Sequence, residues 1–240
     1  MKNHLNRIKW GKIMIRCWGQ AKFSTDNIKL CGYELFIREQ VDDQWVVPAD
    51  FSRFDPVKIT TLLNATVQTM PADLKIISFN LDQRQFVEAQ YCELLATIKD
   101  QTHAQLCVEL TERLGSGTTL VTTEQLVTAA RRFHDARIPV CLDDVGTGTN
   151  QIALIQQLAP YVSEYKFALQ NIRGTESLSQ MQEQVRFWRN LALEQHKSFA
   201  LEGFEGRADL PFIRDYQPNI VQGYYFGIPH KMVIAADFAI

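Results

Sequence analysis

The chain has 240 residues, 46% of them hydrophobic and 22% charged, which supplies a sizeable core and excludes a disordered chain. With 25 basic against 27 acidic side chains the formal charge is -2, so no overall basic field exists to hold duplex nucleic acid. An anionic ligand therefore needs a local site.

Short apolar runs alternate with longer amphipathic ones along the chain. The basic start, Met1–Arg7, is followed by Lys12 and Arg16, which interrupt any signal-peptide pattern. The first runs, Ile13–Trp18 and Ile28–Leu35, are joined by the polar Ser24-Thr25-Asp26-Asn27 and read as an antiparallel hairpin. Six more runs follow: Leu74–Leu81, Gln105–Leu110, Ile138–Leu142, Val162–Phe167, Ser198–Leu201 and Asn219–Val221. Helical patterns separate them at Pro56–Met70, Gln83–Lys99, Thr123–Ala136, Gln151–Leu158, Glu176–Gln195 and Ala208–Asp215. Strands alternating with helices imply βαβ units and a mainly parallel sheet. Eight such strands predict a modified (β/α)8 TIM-like barrel with an antiparallel first strand, in one domain spanning 1–240 with no internal linker or repeat. An open doubly wound sheet is the alternative, but no glycine-rich phosphate loop follows any strand.

Cys17, Cys31, Cys92, Cys107 and Cys141 form no C-x-x-C pair, and three lie inside apolar runs, the pattern of buried reduced thiols in a cytoplasmic protein. No apolar stretch reaches the ~18 residues of a membrane span.

The chemistry collects where the apolar runs end. Glu34 follows Leu30–Tyr33, Asn80 follows Ile76–Phe79, Glu109 follows Leu106–Val108, and Asp143 and Asp144 follow Val140–Leu142. Lys166 closes the next run, Glu202 follows Phe199–Leu201, and Gln222 follows Ile220-Val221. The C-terminal strand ends of such a barrel converge on one face. Carboxylates gathered there repel one another unless a hard cation neutralises them, and an oxygen-only set selects magnesium or manganese over zinc. Each residue alone has a plainer explanation. An acid after a strand is more often a helix cap, Asp143-Asp144 before Gly146-Thr147-Gly148 reads equally as a turn, and a lone lysine belongs on the surface. Seven coincident placements are harder to explain that way.

The same residues carry a family resemblance. Gly32-Tyr33-Glu34-Leu35-Phe36-Ile37-Arg38 is similar to the GYEALLR signature of EAL-domain cyclic di-GMP phosphodiesterases, and Ser78-Phe79-Asn80-Leu81 with Arg84-Gln85-Phe86 resembles VNLSxRQL. Glu109-Leu110-Thr111-Glu112, Asp143–Gly148, Glu202–Glu205 and Val221–Phe226 with Pro229 resemble the E-[IL]-T-E, DDFGTG, EGVE and QGYYF segments, all in family order from about Ile13 to Pro229. The resemblance implies hydrolysis of cyclic di-GMP to linear pGpG with two magnesium or manganese ions per site. Glu34, Asn80, Glu109 and Asp143 would be the primary ligands, with Asp144 and Glu202 at the second metal. It further implies that Lys166 orients the attacking water or the phosphate, that Glu205 and Gln222 support the site, and that Arg38 and Gln20 contact substrate phosphate. Glu112 would anchor the loop after Asp144, which in the family couples dimerisation to metal binding. A homodimer and a regulatory protein partner are expected, with Phe187, Trp188 and Leu191 either adding apolar area on a later helix or packing inward on the barrel. Four departures stand against the pattern: Leu35-Phe36 in the signature, Thr149-Asn150-Gln151 after Gly148, Ala21 after Gln20, and Ala168 where the family has an acid. The last favours slow hydrolysis, or a receptor that binds cyclic di-GMP or a partner protein without turnover. A different barrel enzyme is the remaining alternative.

Overall fold

The computed structural model describes residues 9–10, 13–113 and 120–237; the Met1–Arg7 stretch lies outside them. The barrel strands are β1 (Ile13–Ser24), β2 (Lys29–Val41), β3 (Ile76–Leu81) and β4 (Gln105–Leu110), then β5 (Val140–Leu142), β6 (Glu164–Ala168), β7 (Ser198–Glu202) and β8 (Ile220–Val221). From β2 to β8 each strand runs parallel to the next. β1 pairs antiparallel with both β2 and β8 and so closes the barrel. The TIM-like barrel with an inverted first strand is thus the observed fold.

Among the described residues seven helices pack outside: α1 (Pro56–Val67), α2 (Gln83–Val87), α3 (Ala89–Lys99), α4 (Thr123–Asp135), α5 (Ile152–Leu158), α6 (Leu178–Glu194) and α7 (Pro211–Tyr216). Their starts are written locally. Asp55 caps α1 ahead of Pro56, and Asp82 with Gln85, Thr122 with Gln125 and Ser177 with Gln180 form reciprocal capping boxes. The sequence pattern over 83–99 predicts one helix; the structure has two, because Glu88 is extended (φ -72°, ψ 115°) and restarts the chain as α3.

The apolar core lies between the strands and the helices. Phe79, Leu106, Val108 and Leu142 meet Leu62, Leu95, Phe133 and Val185 there, all buried. The barrel's own centre is charged instead. Strand alternation sends Lys22, Ser78, Glu109, Glu164 and Lys166 into it, all buried. Gly32 fits where β2 crosses β3 because a Cβ there would lie 2.0 Å from the Ile76 carbonyl oxygen. That close approach sets Glu34 two residues on, at the mouth.

Candidate active site

Register fixes the height of each polar group. Gln20 pairs with Glu34 across the hairpin, Asn80 with Glu109, and Ala168 with Glu202, so these residues form one rim. Lys166 sits two residues inside the end of β6 rather than closing the strand, and its ammonium reaches up among the carboxylates. Its Nζ pairs with Glu109, and lies 3.2 Å from Glu34, 3.0 Å from Asp143 and 3.3 Å from Glu202. Asn80 donates to Glu34 Oε1 (2.7 Å) and Gln222 to Glu34 Oε2 (2.6 Å) and Gln20 Oε1 (3.0 Å). Gln20 in turn donates to the Gly227 carbonyl (3.1 Å).

Burial at this density changes proton affinities. Desolvation and the neighbouring Glu202 push Asp144 up to about 7. Burial also raises Glu202, and raises Asp143 well above the carboxylate range although Lys166 pulls the other way. Glu109 is the exception: burial opposes ionisation, but Lys166 and Lys22 outweigh it and hold the carboxylate well below its ordinary value. Burial likewise disfavours the Lys166 ammonium, and Asp143, Glu109, Glu202 and Glu34 overcome it and raise its proton affinity.

A divalent cation fits the donor set. Carboxylate oxygens of Glu34, Glu109 and Asp143 lie within 4.8 Å of one another, as do those of Glu112, Asp143 and Asp144. Asn80 Oδ1 and Gln222 Oε1 are buried acceptors without a hydrogen-bond partner, so the rim keeps unused oxygens in an oxygen-only environment. Two clefts flank the carboxylates. One, of about 230 Å³, is lined by Phe36, Val47 and Phe51 together with Asn80 and Asp143. The other, of about 280 Å³, is lined by Gln20, Glu202, Glu205, Tyr224 and Pro229.

The EAL-domain family model matches residues 23–229. The chain belongs to the EAL-domain family. An EAL-domain protein from Listeria monocytogenes EGD-e is similar to this EAL domain at 19% identity and a TM-score of 0.72, covering 90% of this chain and 88% of that one. The Bacillus subtilis YkuI protein, with an EAL domain and in complex with substrate c-di-GMP and calcium, is 19% identical with a TM-score of 0.71. That match covers 92% of this chain but 56% of YkuI, so the chain spans little more than half of that relative. The FimX EAL domain from Pseudomonas aeruginosa, bound to c-di-GMP, matches at 16% identity and a TM-score of 0.70, with 94% of each chain covered. At these identities the likeness is one of fold. No curated protein sequence matches it.

Several other expected residues of this EAL domain have partners of their own. Arg38 stacks its guanidinium 4.9 Å over the Trp18 ring and 5.6 Å over Phe36, and NH1 donates to the Trp45 carbonyl at 3.4 Å. Glu205 is exposed and faces Arg173 at 3.5 Å. Glu112 meets the loop after Asp144 through its stem, which a Cβ on Gly148 would touch at 2.8 Å, and its carbonyl accepts from Thr149 Oγ1 at 2.8 Å. Trp188 is buried against Gly146 and adds nothing to an outer surface, which corrects its expected place at an interface; only Phe187 of that trio is well exposed.

The structure also adds residues the sequence pattern passes over. Lys22 and Ser78 bind Glu109 from beneath. Gln170 donates to Glu202 (2.6 Å) and Asn171 to Asp144 (2.8 Å), both from the single turn after β6. Arg173 forks onto Asp209 at 3.2 and 3.1 Å and donates to the Gly203 carbonyl at 2.8 Å, bracing the turn that carries Glu202. The signal for Lys22 is its two-residue spacing from Gln20 on β1. Nothing in the sequence marks Gln170 or Asn171.

Proposed function

We propose that the barrel mouth binds cyclic di-GMP and hydrolyses one of its phosphodiester bonds to give linear pGpG. The observation that carries this reading is the oxygen-only rim around Lys166, with its partnerless Asn80 Oδ1, in a chain of the EAL-domain family. Solved relatives hold c-di-GMP, one of them with calcium, which supports the same ligand class here. Glu34, Asn80, Glu109 and Asp143 would hold one magnesium or manganese ion, and Asp144 and Glu202 a second. Such cations supply a lowered water pKa and polarise the phosphoryl oxygens. The protein's own share is positioning. Gln222 and Gln20 present amides beside the carboxylates, and Lys166 supplies an ammonium that contacts Glu34, Glu109, Asp143 and Glu202 together. Tyr224, exposed on the far cleft, offers a ring on which a base can stack. Clefts on both sides of the acids suit a ligand with two bases flanking its phosphates.

The test pairs two measurements: cyclic di-GMP affinity, and pGpG release with magnesium or manganese. Asp143→Ala should abolish release with the fold intact. Binding at micromolar nucleotide with no pGpG above a no-enzyme control leaves the second reading, a receptor without turnover. Two observations favour that reading: Lys166 fills the centre of the carboxylates, and Ala168 stands beside Glu202 where the family carries an acid. The reading extends to a cytoplasmic homodimer assembled on the loop after Asp144, near the half-exposed Phe187; a monomer in sedimentation at tens of micromolar refutes that assembly.

A further inference from the structure

A second ammonium lies under the site. Lys22, 1% exposed, enters from the inverted strand β1 and pairs with Glu109 Oε1; it also donates to Ser78 Oγ at 2.9 Å and stands 4.0 Å from Glu164. Ser78 Oγ binds the same Glu109 oxygen. Glu109 is itself fully buried, and its other oxygen is the one held by Lys166. The two carboxylate oxygens are thus committed differently. Oε1 carries two donors fixed in the barrel's interior, whereas Oε2 faces the rim and is shared with a lysine that other rim acids also contact.

We propose that Lys22 is a positioning residue that withholds the inner oxygen of Glu109, so that a divalent cation can take only Oε2, and takes it in exchange for Lys166. This rests on the metal reading of the rim and deepens it. Three consequences follow from the geometry. Glu109 binds as a one-oxygen ligand and cannot bridge two cations through both oxygens. The fixed positive charge of Lys22, buried where solvent screens little, weakens cation binding. A neutral donor in its place should keep the carboxylate oriented while removing that charge.

Lys22→Gln is that variant, and manganese titration by calorimetry on the metal-free protein reads the effect without recourse to turnover. Expected is an affinity tighter by on the order of tenfold than wild type, with the circular dichroism spectrum unchanged. Equal affinities within a factor of about two overturn the role of Lys22 while leaving the metal site standing. No binding by either protein at millimolar manganese overturns the metal reading and this inference with it. Should Lys22→Gln not fold, the wild-type protein decides. With nitrogen-labelled lysine, two slowly exchanging ammonium signals are expected from the two buried lysines. Magnesium should shift the Lys166 signal, identified by its loss in Lys166→Gln, and leave the Lys22 signal in place. A spectrum in which both move, or neither does, overturns the proposal.

Discussion

Replacing Lys166 by methionine deletes the ammonium and keeps the apolar stem. Glu34, Glu109, Asp143 and Glu202 then face one another with their shared cation gone. Removing one partner of a buried ion pair costs about 3–5 kcal/mol. Two features place this case near the lower end. Lys22 still pairs with Glu109, and Asp143 and Glu202, whose proton affinities are already raised by burial, relieve repulsion by binding protons. A loss of about 3 kcal/mol lowers the melting temperature of a chain this size by roughly 6–12 °C, at about 2–4 °C per kcal/mol. Manganese supplies the missing charge, and at a hundred times its Kd it returns about 2.7 kcal/mol. Scanning fluorimetry with and without manganese should therefore show a variant that melts early and recovers most of its loss on metal addition. Its metal-induced shift should exceed that of wild type, where the cation must displace Lys166. A variant melting within about 2 °C of wild type, or a metal shift no larger than the wild-type one, refutes this account.

Asp209→Ala removes the fork from Arg173 and the bonds Asp209 accepts from the Glu205 and Gly206 amides (2.8 and 3.2 Å); urea melts should show a loss of about 3 kcal/mol, and under about 1 kcal/mol counts against the clamp. Ala168→Asp puts a carboxylate level with Glu202, so calorimetry should show manganese bound several-fold more tightly by a less stable metal-free protein; unchanged affinity means that this side chain does not reach the rim. The metal-free protein should lose stability as pH rises from about 4 to about 7. Asp144 holds its proton in the folded state up to about 7 and in the unfolded state only to its ordinary 3.8, so the folded state binds more protons across that window. Glu109, lowered from 4.5, acts with the opposite sign but at more acid pH. Asp144→Asn should flatten the slope, and melts at several pH values decide it.

The eight strands were readable because each is a short apolar run, and the rim because strand ends converge in a barrel. Lys22 was not. The first run reads as ending at Trp18, since Gly19, Gln20 and Lys22 resemble a solvated strand end, whereas β1 continues to Ser24 with Gln20 and Lys22 on its inward face. A buried lysine is intelligible only once β4 supplies Glu109. Arg38 shows the converse: it belongs to the signature segment, but its stacking over two aromatic rings was not legible there. Trp188 was legible in principle, since Met181, Val185, Trp188 and Ala192 recur at helical spacing and form the buried stripe of α6. Gln170 and Asn171 act through one short turn with no periodicity to betray it.

The inverted strand has a consequence for how the barrel stays shut. β8 pairs with β1 at only two positions, Ile220 with Ser24 and Val221 with Phe23, and the pairing resumes at Gly19 and Trp18, opposite His230 and Lys231. Between them, along Gln20 to Lys22, no backbone ladder joins the two sides. The gap is spanned by side chains: Gln222 to Gln20, Gln222 to Glu34, and Gln20 to the Gly227 carbonyl. This seam of the cylinder is therefore stitched by the rim itself, and whatever grips Glu34 also holds the seam. Amide hydrogen exchange along residues 20–22 should be among the fastest of the barrel strands in the free protein and slow once ligand is bound; exchange there indifferent to ligand would show that the seam closes without the site.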